Sequence, residues 1–298
     1  MPAEERRASG AVLLARQLHR STLLWLFGLE KTGDSTLFQL DLRATPLREL
    51  DLAARYILEL IGVEVVVSDE ALLTLLVSRF GARFPTTREF SDFTRGNLGE
   101  VNELDDPDAA LLAWMEFEER LFMTLERHIV ERVLTQGFMT DGKADVDSFV
   151  NFSLSILNRR KSRAGWALGN HVERILVRNK VQFEREVVTE GNSRPDFIFP
   201  SQKAYQDRSW PDATLSMLAV KTSCKDRWRQ VLAEAERIRP KHLLTLEPGI
   251  SRAQTEEMKK QDVQLVVPQG LQMTYSKAQQ SELLNLAAFI SSVKQHQN

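Results

Sequence analysis

The sequence is poor in the features that would fix its class at a glance. It has one cysteine, Cys224, in 298 residues. A disulfide framework and a cysteine-rich zinc site are thereby excluded, and an intracellular, cytoplasmic protein is favoured. It lacks an excess of positive charge: 39 Lys and Arg face 41 Asp and Glu, for a formal net charge of -2. No global basic field marks a nucleic-acid binder, although DNA responds to local clusters rather than to the total. No run approaches the ~18 consecutive apolar residues of a membrane span. The opening "MPAEERRASG" mixes charges of both signs and has no signal-peptide core. Internal repeats and low-complexity tracts are absent. His128, His171 and His242 show no ligand spacing and read as structural or surface residues. No histidine pattern supports nucleophilic catalysis by Cys224.

What is present is an ordinary globular composition, 43% hydrophobic and 27% charged, long enough for one large domain or two modest ones. Residues 1–82 read as a small mixed unit of unknown role. Its last part, "VEVVVSDEALLTLLVSRFG" (63–81), reads as strand, Ser/Asp cap and helix. The polar stretch "ARFPTTREFSDFTRGNLGEVNELDDP" (82–107) reads as the domain boundary, so a second unit is expected over 83–298. Asp106-Pro107 opens a long helix, since Asp caps and Pro suits the first turn. Two more helices are expected at 146–157 and 163–179. From residue 181 the period shortens. "VQFEREVV", "PDFIF", "SMLAVKT", "KHLLTLE" and "VQLVV" read as strands, and the last three alternate with helical segments. Strand–helix–strand–helix–strand implies parallel pairing there, hence an α/β fold behind a helical front. A terminal helix is expected over 276–295.

Three charged residues stand out in this half. Asp196 opens the strand "PDFIF". Lys221 ends the apolar run Met217-Leu218-Ala219-Val220, where an unpartnered lysine is out of place. Glu234 lies in the next helical segment, at the edge of the stripe formed by Trp228, Val231, Leu232, Ala235 and Ile238. A hard cation takes oxygen ligands, which Asp196 and Glu234 offer. A nearby lysine positions water and neutralises an anion. Together they have the layout of a metal-dependent phosphodiesterase. The plainer reading makes them a turn residue, a strand-end charge and a surface helix residue. A second cluster, Arg159, Arg160, Lys161 and Arg163 in "NRRKSRAG", suits phosphates, or else is a solvated helix junction. After the Lys221 strand, Lys225 and Arg227 can donate to guanine and Asp226 can accept from cytosine. Alternatively, Asp226 serves a first helical turn.

Taken together, "LNRRKSRAG", "VTEGNSRPDFIFPS", "MLAVKTSCKDRWRQVLAEAERI", "HLLTLEPGIS" and "VQLVVP" closely resemble the catalytic domain of EcoRII-type restriction endonucleases, over roughly 83–298. The resemblance implies the PD-(D/E)xK fold, with a mixed sheet flanked by helices, and magnesium as cofactor. It implies cleavage of double-stranded DNA at a CC-W-GG or CC-N-GG site by a homodimer, with a cytosine methyltransferase protecting host DNA. By this resemblance Asp196 and Glu234 are metal ligands and Lys221 is the catalytic lysine. Lys225, Asp226 and Arg227 match the segment reading the outer C:G pairs. Arg159 matches an arginine near a flipped central pair, and Glu173 an additional acidic residue. Two departures are visible. Residues 1–82 do not resemble the family's N-terminal effector domain. Trp114 stands where a basic residue is expected near the central pair, and offers an aromatic wall there or else a core residue. A catalytically silent DNA-binding protein on the same fold is the alternative.

Overall fold

The computed structural model describes residues 12–14, 64–66, 69–99, 101–225 and 227–297. Most of the small mixed unit expected over 1–82 therefore lies outside the described residues, as does Asp226. The chain divides into two compact units. One comprises residues up to Phe84 together with Leu121–Gln136; the other comprises Pro85–Arg120 and Gly137–Asn298.

In the first unit, β1 (Val12–Leu14) pairs antiparallel with β2 (Glu64–Val66). Helix α1 (Asp69–Phe80) buries Leu72, Leu76 and Phe80, at the 3.6-residue spacing of an amphipathic helix. Phe84 stacks on Phe122 with ring centroids 5.8 Å apart.

In the second unit, the polar stretch after residue 82 contains a helix, α2 (Thr87–Asn97). Thr86 and Glu89 cap its first turn reciprocally, each side chain accepting the other's backbone N–H. Phe90 and Phe93 are buried. Helix α3 (Pro107–Gln136) follows as expected, its second half belonging to the first unit. A two-residue hairpin, β3 (Met139–Thr140) with β4 (Lys143–Ala144), leads into α4 (Val146–Arg178). Helix α4 is one continuous helix of 33 residues, where two were expected.

The remaining elements build one five-stranded sheet in the order β5-β6-β7-β8-β9. These strands are β5 (Glu184–Arg185), β6 (Phe197–Phe199), β7 (Ser216–Lys221), β8 (Lys241–Thr245) and β9 (Val263–Val266). Only Glu184–Arg185 of "VQFEREVV" pairs as strand, since Glu186 turns the chain at φ 51°. The β5-β6-β7 pairs are antiparallel and the β7-β8-β9 pairs parallel. The sheet is therefore mixed, with the expected parallel pairing confined to its last three strands. Alternation sorts the side chains onto two faces. Ile198, Met217, Ala219, Leu243 and Leu265 face one core with Trp228, Val231 and Ile238. Phe197, Phe199, Leu218, Val220, Leu244 and Val266 face another with Leu168, Val172 and Ile175 of α4. Short helices α5 (Gln202–Gln206) and α6 (Arg252–Lys260) lie between β6 and β7 and between β8 and β9, while α7 (Gln269–Gln272) and α8 (Lys277–Gln280) follow β9 and lead to the terminal helix. The terminal helix is shorter than expected: α9 (Leu286–Gln297) starts after a separate turn. Asp108 of α3 is buried and accepts from the backbone N–H groups of Gln269, Leu286 and Ala287, so it satisfies otherwise unpaired donors opening α7 and α9. Among the described residues, no helix is long and apolar enough to cross a membrane.

Candidate active site

The register of the sheet brings Asp196 to Lys221. Phe197 lies opposite Leu218, so Asp196, one residue earlier, lies beside the end of β7. Its Oδ2 accepts from the Val220 backbone N–H at 2.7 Å and from Lys221 Nζ at 3.1 Å. Both side chains are partly open, Lys221 24% and Asp196 30% exposed. The strand-end lysine thus has the partner that its apolar surroundings demand.

Glu234 joins them from a different element than expected. The segment after β7 is a 3-10 helix over Trp228–Ala233, not an α-helix, and Glu234 is already extended at φ -86°, ψ 138°. It remains on the correct face. Asp196 shares the alternation of Ile198, and Lys221 that of Ala219 and Met217, whose core also takes Val231 and Ala235 on either side of Glu234. Glu234 is 9% exposed. Burial pushes its carboxyl up to about 7, with Asp196 adding to the rise and Lys221 and Lys241 opposing it. Its Oε2 is buried and accepts no hydrogen bond from the protein. A buried oxygen without a donor is costly unless something else supplies positive charge.

Such an acceptor fits a divalent cation. Magnesium is held by one or two carboxylates and keeps several waters, so Asp196 and Glu234 suffice. Among the described residues no group of three or more His, Cys, Asp or Glu is placed to hold a metal. Glu173 does not add a third ligand. Its Oε2 accepts from Arg185 at 2.6 Å and Arg88 at 2.8 Å, so it is committed to two guanidinium groups.

The basic residues divide. Arg159, Arg160 and Lys161 are exposed on α4 rather than in a junction. Arg163, two residues on, is buried at 5% exposure and bonded to Glu119, with Glu118 at 3.9 Å. It is a structural ion pair and not a phosphate contact. Trp114 is also turned inward. It is 4% exposed, packs on His171 at 5.5 Å, and lies under the Arg95 guanidinium at 5.8 Å. It is a core residue and offers no aromatic wall to an extruded base. His171 is structural as expected. Arg95 donates to its Nδ1, which leaves the proton on Nε2, 2.9 Å from Glu118.

Lys225 and Arg227 are exposed just beyond β7. Glu247, which sequence reasoning did not single out, anchors this loop. Its Oε2 accepts from Ser223 Oγ and the Cys224 backbone N–H, and its Oε1 lies 3.2 Å from Lys225 Nζ. These contacts hold its carboxyl below the usual range. Lys241 was missed as well. It opens an apolar strand, which disguises it as a surface charge, yet it is fully buried.

An antiparallel strand opened by an acid, a neighbour closed by a lysine, parallel strands beyond, and a second acid on the same face define the restriction-endonuclease-like PD-(D/E)xK fold. Two solved structures share it. One is of metal-depleted Ecl18kI in complex with uncleaved, modified DNA: TM-score 0.59, 18% identity, covering 77% of this chain and 84% of that one. The other is of the restriction endonuclease PspGI with substrate DNA: TM-score 0.59, 15% identity, covering 72% and 93%. The family model described as EcoRII C terminal matches residues 122–290. The type II restriction enzyme EcoRII of Escherichia coli is 42% identical over 210 residues, 70% of this chain. The chain belongs to the EcoRII C-terminal family. It spans about half the length of that curated relative.

Proposed function

We propose that the protein is a type II restriction endonuclease that hydrolyses double-stranded DNA at a CC-W-GG- or CC-N-GG-like site with magnesium. The observation that carries this reading is the meeting of Asp196, Lys221 and Glu234 on one face of the sheet. Asp196 and Glu234 would hold the cation. A divalent ion there supplies positive charge to the phosphate and lowers the pKa of water. Lys221, tethered at 3.1 Å by Asp196, points its ammonium at the same place, where it orients the attacking water and balances charge on the phosphate. Asp196 in turn is fixed by the Val220 N–H, so the acid and the lysine keep one geometry.

Recognition belongs to other residues. Lys225, Asp226 and Arg227 follow β7 directly and are suited to the outer C:G pairs, with donors for guanine and an acceptor for cytosine. Arg159 is suited to stack its guanidinium plane on a flipped central base, with Arg160 and Lys161 on neighbouring phosphates. A second copy of the chain is the natural partner, because a symmetric site calls for a symmetric dimer. The exposed face Val146, Val150, Leu154 and Leu157 of α4 supports that pairing. Acidic Asp145 and Asp147 flank the start of this stripe and basic Arg159–Lys161 follow its end, so two antiparallel copies meet acid to base. A cytosine methyltransferase would protect host sites in the same cytoplasm.

Plasmid DNA incubated with the protein and magnesium should give discrete fragments whose sequenced ends share one motif. Binding without cleavage would instead assign a catalytically silent DNA-binding protein. Neither binding nor cleavage would reject both.

A further inference from the structure

Lys241 has a role that the catalytic reading leaves unexplained. Its Nζ donates to two consecutive backbone carbonyls, that of Glu234 and, at 2.9 Å, that of Ala235. Fully buried lysines are rare and are kept where partners hold them. These two carbonyls belong to the point where the chain leaves its 3-10 turn. Ala235 stands there at φ 45°, in the left-handed region that a residue with a Cβ disfavours. One residue further, the Glu236 N–H donates to the Glu190 carboxylate at 3.3 Å. Segment 234–236 is thus gripped through two carbonyls and an amide. The Glu234 carboxylate has no comparable hold, since its Oε2 accepts no hydrogen bond. Its position is set by its backbone.

Lys241 is too far along the sheet to meet the scissile phosphate itself. His242 lies opposite Leu218, so Lys241 lies beside Met217. That is four residues before Lys221, or about 13 Å at the strand rise. It shares the sheet face of Leu243, the face of Asp196 and Lys221, and reaches the site only through Glu234.

We propose that Lys241 is a positioning residue: its ammonium clamps the carbonyls of Glu234 and Ala235 and thereby aims the Glu234 carboxylate at a divalent cation shared with Asp196. The inference rests on the metal-dependent reading above. Replacing the ammonium by an apolar group frees two carbonyls and the strained Ala235. The Glu234 backbone then relaxes and the carboxylate leaves its place. Cation affinity and turnover fall together, while the base-reading loop beyond β7 keeps its own anchor, Glu247.

The test uses the full chain, wild type and Lys241→Met. Mn2+ is titrated calorimetrically into each protein bound to a phosphorothioate-blocked duplex. kcat and KM are measured on cleavable DNA, and metal-free DNA affinity by gel shift. Lys241→Met should lose at least tenfold in Mn2+ affinity and in kcat, with KM and metal-free affinity within twofold of wild type. Adding Ala235→Gly should restore part of the Mn2+ affinity, because glycine adopts φ 45° without a clamp. Should Lys241→Met not fold, Lys241→Gln, whose amide can still donate to one carbonyl, carries the same measurements with a smaller loss. Unchanged Mn2+ affinity in a folded variant overturns the role, as does an equal loss of Mn2+ affinity and metal-free DNA binding. A wild-type protein that neither binds Mn2+ nor cleaves defeats the metal-dependent reading itself, and Lys241's role with it.

Discussion

Glu234→Gln should make the metal-free protein more stable while it destroys cleavage. The carboxyl is raised from 4.5 to about 7, chiefly by burial. At about 1.4 kcal/mol per pH unit, that difference is worth about 3 kcal/mol. The sign follows from linkage: a carboxyl whose folded pKa lies above its unfolded value contributes stability at low pH and loses it as pH rises through about 7. Between pH 5 and pH 8 the wild type should therefore lose about 2–3 kcal/mol relative to Glu234→Gln, for which this titration does not exist. Urea unfolding of both proteins at the two pH values, in EDTA, gives the quantity as a difference of differences, in which all other titrations cancel. Magnesium at pH 8 should then stabilise the wild type and leave the variant unmoved, because a ligand that binds only the folded state stabilises it. A double difference below about 0.5 kcal/mol would refute the idea that Glu234 is kept as a destabilised, cation-seeking acid.

Four further outcomes are expected. Arg227→Ala should weaken cognate binding by ~1–3 kcal/mol and non-specific binding much less; equal losses in gel shifts would reduce the residue to a phosphate contact. Trp114→Ala should cost ~3–5 kcal/mol in denaturant unfolding, as for a large core side chain. 2-Aminopurine placed at the central base pair should brighten on binding if that base is flipped, and Trp114→Phe should leave such a rise unchanged; a changed rise would return Trp114 to the base pocket. A chain cut to 83–298 should still cleave, but its helix over 121–136 should fray, having lost Leu72, Leu76 and Phe80 from its unit. Hydrogen exchange localised to 121–136 measures this, and an inactive fragment would make the first 82 residues part of the catalytic fold.

Asp196 and Lys221 are legible because a charge that closes an apolar strand needs a partner, and the preceding strand opens on one. Glu234 is legible as a residue but its setting is not. Val231, Ala235 and Ile238 imitate a helical stripe, whereas the positive φ of Ala235 and the grip of Lys241 end the helix at Ala233. Neither cause has a local sequence signature, since Lys241 acts from the next strand. The charge cluster in "NRRKSRAG" reads as a junction between two helices, yet α4 runs through it and Arg163 finds Glu119 on α3, a tertiary contact that sequence spacing does not reveal. The same contact removes Arg163 from the candidate DNA surface. The stretch 82–107 reads as a domain boundary on composition, yet "TTRE" at 86–89 is a capping-box signature that announces α2. Trp114 and Glu173 are drawn to other partners for one reason: which neighbour a side chain meets, His171 and Arg95 for Trp114, Arg88 and Arg185 for Glu173, is decided by tertiary packing.

The continuity of α4 has a consequence for how this chain tolerates length changes. The apolar stripe from Val146 to Leu157 and the cluster Arg159–Lys161 ride on a single rigid rod with no joint between them. One residue inserted at about position 158 would rotate everything upstream by ~100° relative to everything downstream. Seven inserted residues would nearly restore the phase, while displacing the two regions by ~10 Å along the axis. The apolar stripe and the basic cluster are therefore locked in angular register, and natural variation in this helix should come in whole turns.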